Sequence, residues 1–503
     1  MTSKQPSLTQ RTVRGMVWTA YGSGAMALLK ILVLVLLTRL LTPADFGVVG
    51  AAMVVITFSL TFSQLGLGPA LVQRPVLERG HISTAFFAST GFGFAAAALV
   101  WLIAPLLALF FRMDHLLPVV RWLAIVFPIL GLTTVAENLL QRDLRFRLLA
   151  NTDVAAYAVG YGVVGVALAL LGRGVWALVA AQVTQVCVRS IVLLRASPPL
   201  FHPRPTRKCF RELLGYGAGV SAARIGFTVA NQIDNFVVGR WLGAVALGLY
   251  SRAFQLMSVP TALLGDVLDK VLFPTMARVQ HDQRRLASAF LQGTAIVVLV
   301  TLPAGVIAAI LAPDLVAVAF GDKWLSLIAP FQILALGMMF RTSFRLSDSL
   351  SRATGRVYRR AWRQGAFALM VFLGAVIGQR GGITGVAAGV LVALFINYVL
   401  MAQLALNVGQ ITWLRYLQSQ LPAMRLTAVL AAATFAVTSG LHRLGMGPLI
   451  NLFLGTATAL GLAALLVWQA PIFSLGQEGA RMLETLRGHV MARLRPARAS
   501  ESV

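Results

Sequence analysis

The chain has 503 residues, of which 58% are hydrophobic and only 12% charged, and its mean hydropathy is +0.79. Soluble globular chains carry about 25% charged and about 45–50% apolar residues, so this composition leaves too little polar surface to coat a water-soluble fold. The net charge of +26 does not point to nucleic acid, because the basic residues sit in short clusters between apolar runs and form no continuous basic face.

In chain order, apolar runs long enough to cross about 30 Å of hydrocarbon lie near 16–41, 46–69, 82–111, 116–140, 148–171, 174–196, 213–240, 244–273, 287–320, 325–347, 361–379, 383–407, 424–441 and 447–470. Open strands would leave backbone donors unpaired in lipid, and alternating barrel-strand patterning is absent. The sequence therefore predicts an all-α, polytopic membrane protein of about fourteen transmembrane helices. The first run follows Lys4, Arg11 and Arg14, lacks a small-residue cleavage exit and is too long, at about 25 residues, for a removed signal.

Alternate loops carry one basic residue each: Arg39, Arg112, Arg173, Arg240, Lys323, Arg380 and Arg443. The N-terminus, the other loops and the C-terminal tail are far more basic. Because Lys and Arg accumulate on the cytoplasmic side, both termini are expected there. The outward loops are short and hold no extracytoplasmic domain in which a carboxylate pair or a triad could assemble, so an enzyme is not expected. Cys187 and Cys209 have no partner at metal or disulfide spacing, the histidines sit singly, and no nucleotide fingerprint occurs. No cofactor or metal is expected.

An offset of 201 residues lays Thr38-Arg39-Leu40-Leu41 on Gly239-Arg240-Trp241-Leu242 and Gly47 on Gly248. A slightly longer offset lays Arg173-Gly174 on Gly381-Gly382. The expected organisation is a cytoplasmic N-terminus (1–15), an N-lobe (16–196), a basic linker (197–212), a C-lobe (213–407), an interfacial segment with two further spans (408–470) and a basic amphipathic tail (471–503). Each lobe has six helices. Six is even, so the lobes are parallel repeats, the arrangement in which a substrate lies between rocking halves. The tail sets Leu483, Leu486 and Val490 against Arg481, Arg487 and Arg493, which fits it to anionic inner-leaflet lipids.

Ionisable groups at membrane depth are expensive and face a bundle interior or a wet cavity. Ser23 and Lys30 are seven residues apart on one face of the first span, with Thr19. The repeat-related face of span seven carries Arg224, Thr228, Asn231 and Asn235. Two cations with little matching acid suit a polyanion, most naturally a phosphate or pyrophosphate head. Asp234 and Arg252 reach similar depth on adjacent spans and are expected either to pair or to give a carboxylate for ion coupling. Glu137 is expected to pair with loop arginines, Asp153 to be neutralised near Arg147, and Arg121 and Arg189 have no evident partner.

The block Asp234-Asn235-Phe236-Val237-Val238-Gly239-Arg240-Trp241-Leu242-Gly243, followed by Ala246-Leu247-Gly248-Leu249-Tyr250-Ser251-Arg252-Ala253-Phe254, closely resembles polysaccharide flippases. Leu36-Leu37-Thr38-Arg39-Leu40-Leu41-Thr42-Pro43-Ala44-Asp45-Phe46-Gly47 and Leu140-Gln141-Arg142-Asp143-Leu144-Arg145-Phe146 extend the likeness. The chain resembles the polysaccharide-transporter branch of the multidrug/oligosaccharidyl-lipid/polysaccharide exporter superfamily. That resemblance implies movement of polyprenyl-pyrophosphate-linked oligosaccharides across the bacterial cytoplasmic membrane through a cavity between two lobes, alongside polymerase and export machinery. A drug or cation antiporter of the same superfamily is the alternative; it would line its cavity with carboxylates. A membrane glycosyltransferase or polymerase would need acidic residues in a sizeable outer loop.

Overall fold

Apolar runs of this length bury their backbone polar groups in lipid only as helices. The computed structural model describes residues 8–63, 66–198, 206–354, 356–474 and 476, and among them no strand occurs. In chain order the helices are α1 (Leu8–Leu40), α2 (Pro43–Ser63), α3 (Leu67–Gln73), α4 (Arg79–Phe111), α5 (Leu116–Leu123), α6 (Val126–Arg142), α7 (Phe146–Tyr157), α8 (Val166–Leu170), α9 (Val175–Ala196), α10 (Arg207–Trp241), α11 (Gly243–Arg278), α12 (Gln283–Ile310), α13 (Ala312–Ala319), α14 (Ile328–Leu336), α15 (Met338–Ala353), α16 (Val357–Gly378), α17 (Gly382–Gly409), α18 (Trp413–Gln418), α19 (Leu421–Arg443) and α20 (Pro448–Gln469). A π-helical segment, Ala158–Gly165, joins α7 to α8.

Ten described segments are long and apolar enough to cross a membrane, and the chain is a multi-pass membrane protein. One of the ten, Trp362–Gly409, runs for 48 residues through α16 and α17. Helices α1, α10 and α11 have 33, 35 and 36 residues, ample for a crossing; each includes side chains outside the described residues, and the ten are counted without them. The expected count of fourteen is thus neither reached nor replaced. The tail beyond 476, residues 199–205, and the side chains of Thr19, Ser23 and Arg224 lie outside the described residues.

Local chemistry explains the sequence blocks. Thr42-Pro43-Ala44-Asp45 is a capping box at the start of α2: the Thr42 backbone N–H donates to Asp45 Oδ2 at 2.9 Å, and the Asp45 N–H donates to Thr42 Oγ1 at 3.3 Å. Pro43 takes the first helical position, where its missing N–H costs nothing. In the block after α6, Arg142 donates to the carbonyls of Leu71, Arg74 and Pro75 at 2.8, 2.6 and 3.0 Å, pinning the end of α3. Leu144 takes up a left-handed φ of 57° there, and the Arg145 N–H closes the turn on Leu140 O.

By contact density the chain divides into two units, one of residues 1–259, 319–330 and 364–393, the other of 260–318, 331–363 and 394–503. In the first, α4 packs on α6, α1 on α7, α2 on α10, and α9 on the π segment. Lipid tails are as apolar as leucine, so what holds these helices together is close van der Waals packing. A very close approach is made between α2 and the start of α11. A Cβ placed on Gly47 would lie 1.7 Å from Ala244 O, and one on Gly248 would lie 1.8 Å from Pro43 O. The 201-residue offset maps Pro43 onto Ala244 and Gly47 onto Gly248, so the contact is reciprocal between repeat-related residues. Trp324, fully buried, donates its indole N–H to Thr38 O at 2.9 Å and meets Phe46 edge-on.

In the second unit α12 packs on α15 and α19, and α19 on α20. Its core is aromatic around Phe290, Tyr398 and Tyr416, with Tyr398 and Gln420 hydrogen-bonded side chain to side chain. Asp314, 3% exposed, is met by His442 at 3.0 Å and by the Asn451 amide at 3.3 Å.

Near the start of α10, Glu212 is clasped by Arg74 at 2.6 Å and by His81 at 3.1 Å. The hydrogen bonds from His81 and then Arg74 hold its carboxyl below the usual carboxylate range. The clasp ties the start of α10 to α3 and α4, and the Glu212 carboxylate stays ionised at neutral pH.

Candidate functional site

Lys30, on α1, lies inside an apolar run and is partly exposed; its Nζ sits 5.9 Å from the centre of the Tyr157 ring. Tyr157 stacks on Tyr161, with ring centres 4.9 Å apart and planes 16° from parallel. The two tyrosines are four residues apart where α7 passes into the π segment. A π turn is wider than an α turn and is frequent at functional positions. Gly160 lets this widened stretch lie against α9, and the Tyr161 hydroxyl donates to Gln182 Oε1 on α9 at 2.8 Å. Both hydroxyl-bearing rings stay partly exposed.

Arg252, on α11, completes the cluster. Its guanidinium lies 4.9 Å from the Phe46 ring centre and donates to Gln255 Oε1 within its own helix. Tyr157 and Tyr161 are close enough to feel its charge. Its Nε is buried with no acceptor. Among the described residues neither Lys30 nor Arg252 forms an ion pair. The Asp153 carboxylate attracts Lys30 from beyond ion-pair distance.

The acids of this region are consumed by a third cation. Arg189 on α9 bridges Glu137 on α6 at 2.9 Å and Asp153 on α7 at 2.7 Å. Arg189, which had no evident partner in the sequence, thus takes both carboxylates, and Glu137 pairs inside the helix bundle where a loop arginine was expected. Across Lys30, Arg189, Glu137 and Asp153 the formal charges cancel, and Arg252 is the cation in excess. Replacing Arg189 by Gln strands two partly buried carboxylates. We expect a loss of about 2 kcal/mol, read as a lower unfolding midpoint in detergent, with most of it recovered when Glu137→Gln is added.

The expected Asp234–Arg252 pair is not formed. Asp234, 2% exposed, accepts from the Tyr250 hydroxyl at 2.9 Å and from the Asn235 N–H at 2.8 Å. Similar depth is not similar azimuth: Tyr250 and Arg252 are two residues apart, about 200° around the helix, so only one of them faces Asp234. Of the other candidates, Thr228 and Asn235 are each 9% exposed, and Asn231 is half-buried. Asn235 donates to Gln232 Oε1 at 3.2 Å while its own Oδ1 is buried without a donor. Ser23 and Arg224 fall among the side chains outside the description.

Sequence reasoning missed Tyr157, Tyr161 and Gln182. The signal was present as two tyrosines at i, i+4 beside three closely spaced glycines, Gly160, Gly162 and Gly165, in a run otherwise purely apolar.

A family model described as polysaccharide biosynthesis protein matches residues 36–329, more than half of the chain and all three blocks noted above. The chain belongs to this polysaccharide biosynthesis family. Among its relatives, teichuronic acid biosynthesis protein TuaB of Bacillus subtilis is 24% identical over 455 residues, covering 90% of this chain and 94% of that protein. Succinoglycan biosynthesis transport protein ExoT of Rhizobium meliloti is 28% identical over 322 residues, covering 63% of this chain and 65% of its own length. In fold, the lipid II flippase MurJ in an inward closed conformation superposes with a TM-score of 0.72 at 12% identity, over 90% of this chain and 99% of that one. The family match includes α2, the π segment and the start of α11, and therefore Tyr157, Tyr161, Arg189 and Arg252; Lys30 lies just before it.

Proposed function

We propose that this member of the polysaccharide biosynthesis family is a flippase. It moves polyprenyl-pyrophosphate-linked oligosaccharide repeat units from the cytoplasmic to the outer face of the cytoplasmic membrane, by alternating access. The observation that carries the reading is the pair of cations, Lys30 and Arg252, set among Tyr157, Tyr161 and Phe46 without an ion-paired carboxylate. A pyrophosphate offers the acceptors these donors lack, and tyrosine rings offer flat apolar faces to the first sugar. The names of the relatives agree: one is a transport protein of succinoglycan biosynthesis, and the fold is shared with a lipid II flippase.

In this reading both termini are cytoplasmic, an N-lobe of 16–196 and a C-lobe of 213–407 rock about the substrate, and the basic tail rests on anionic inner-leaflet lipids. Ser23, Arg224, Thr228, Asn231 and Asn235 extend the polar path, and polymerase and export machinery take the product. Asp234, bound to Tyr250, positions α10 against α11.

The test is the distribution of lipid-linked oligosaccharide after deletion of the gene. Accumulation on the cytoplasmic leaflet, reversed by the wild-type chain, is the expected result. An unchanged distribution with altered drug resistance would replace this reading with the antiporter.

A further inference from the structure

Away from the Lys30–Arg252 cluster, α4 and α5 form a lateral groove of about 370 Å³ lined by Trp101, Leu117, Pro118, Arg121, Trp122 and Ile125. The surrounding face of α4 is built for acyl chains: Leu102, Leu106 and Leu109 are 68%, 67% and 76% exposed. In the middle of this apolar face sits a guanidinium. Arg121 lies over the Trp101 ring, its guanidinium 4.2 Å from the ring centre. Among the described residues no acceptor receives a hydrogen bond from it, no carboxylate pairs with it, and its Nε is closed off from solvent.

Five donors whose charge meets only an indole are costly in hydrocarbon, since an unmatched charge there is tolerated only where it finds a counter-charge or reaches the interface. The groove lies in the half of the hairpin near the α4–α5 turn. Trp101 is ten residues from the end of α4, about 15 Å at 1.5 Å per residue, on a helix whose 33 residues span about 50 Å and so overhang the hydrocarbon. That depth is one a lipid headgroup reaches. Trp122, 60% exposed and braced edge-on by Trp176 at 6.4 Å, forms the other aromatic wall, and indoles favour the headgroup level.

We propose that this groove is a binding site for an anionic phospholipid: its phosphate meets the edge of the Arg121 guanidinium, and its glycerol and upper acyl carbons lie between Trp101, Trp122 and Ile125. The site is distinct from the substrate path. It rests on the orientation given under the proposed function only for the leaflet concerned, the outer one.

The full chain in neutral detergent is titrated with phosphatidylglycerol, phosphatidylcholine or sodium phosphate, and binding is read by native mass spectrometry and by the thermal unfolding midpoint. Phosphatidylglycerol binds wild type and raises its midpoint. Arg121→Gln weakens that binding about tenfold or more, Trp101→Leu weakens it also, and Arg121→Lys retains part of it, as expected for a charge-assisted contact. Equal phosphatidylglycerol binding by wild type and both weakening variants overturns the site, as does equal preference of wild type for phosphatidylcholine. Saturation by millimolar sodium phosphate that displaces the lipid overturns the lipid as its occupant. Trp101→Leu keeps the answer accessible if Arg121→Gln fails to fold, and none of these readings depends on transport.

Discussion

Gly47→Ala and Gly248→Ala each destabilise the protein by about 3 kcal/mol, the upper end of the cost of forcing a methyl into a packed interior. The cause is geometric. The added Cβ would lie 1.7 Å from Ala244 O in one case and 1.8 Å from Pro43 O in the other, and both obstacles are backbone atoms that no rotamer change removes. Helix α2 and the start of α11 must move apart. That movement also loosens Phe46, which lies against Arg252 and Trp324. Because the two glycines share one crossing, their effects are coupled. Once the first methyl has separated the helices, the second costs less, and the double variant falls well short of the sum of the singles. Thermal or denaturant unfolding in detergent measures this, with Gly91→Ala as control. A Cβ at Gly91 meets nothing within 4 Å, and there alanine only improves helix propensity, so that variant is neutral or slightly more stable. Additive losses, or no loss, would contradict the close crossing.

That crossing was partly legible in the sequence. The offset of 201 residues already laid Gly47 on Gly248, but no sequence pattern says that two repeat-related glycines touch each other's helices. The all-α membrane class was legible because backbone satisfaction in lipid leaves no other choice for long apolar runs. Thr42-Pro43-Ala44-Asp45 was visible as a motif, and its physical content is a helix start. Helix α10 shows the limit of hydropathy. It carries Asn231, Asp234 and Asn235 within an apolar run, and the burial of Asp234 and Asn235 marks a helix face turned to the interior at the expense of its apolar average.

For the site, Lys30 and Arg252 were legible as charges inside apolar runs, since membrane burial makes such residues rare. Their surroundings were not. Tyr157 and Tyr161 meet face to face where the helix widens to π geometry, a register that a 3.6-residue period does not anticipate. The assignment of Arg189 to Glu137 and Asp153 joins α6, α7 and α9, three helices whose mutual rotation only packing decides. Pairing Asp234 with Arg252 by depth alone failed for the same reason. Depth follows from residue counting, whereas azimuth depends on which neighbour a helix turns toward, and here Tyr250 holds the inward position.

The cation pair at the centre of the account gives the second large effect. Lys30→Ala removes the point charge beside Tyr157, and Arg252→Gln removes the guanidinium set against Phe46. A charge-assisted hydrogen bond to phosphate contributes about 1.5–3 kcal/mol, so each variant should lose about tenfold or more in translocation. Lys30→Arg keeps the charge and most of the rate. Neither loss should follow from unfolding, since neither cation is engaged in an ion pair whose partner would be stranded among the described residues. Asp153 remains bound to Arg189 in both variants.

The most direct measurement is therefore translocation of a polyprenyl-pyrophosphate-linked oligosaccharide in proteoliposomes, by wild type, Lys30→Ala, Lys30→Arg, Arg252→Gln and the double Lys30→Ala/Arg252→Gln chain. Unfolding midpoints are recorded alongside, and inorganic pyrophosphate is added as competitor. The account predicts loss in both neutral variants at unchanged midpoint, retention in Lys30→Arg, and inhibition of wild type by pyrophosphate that the double variant no longer feels. Wild-type translocation by the folded double variant would contradict it.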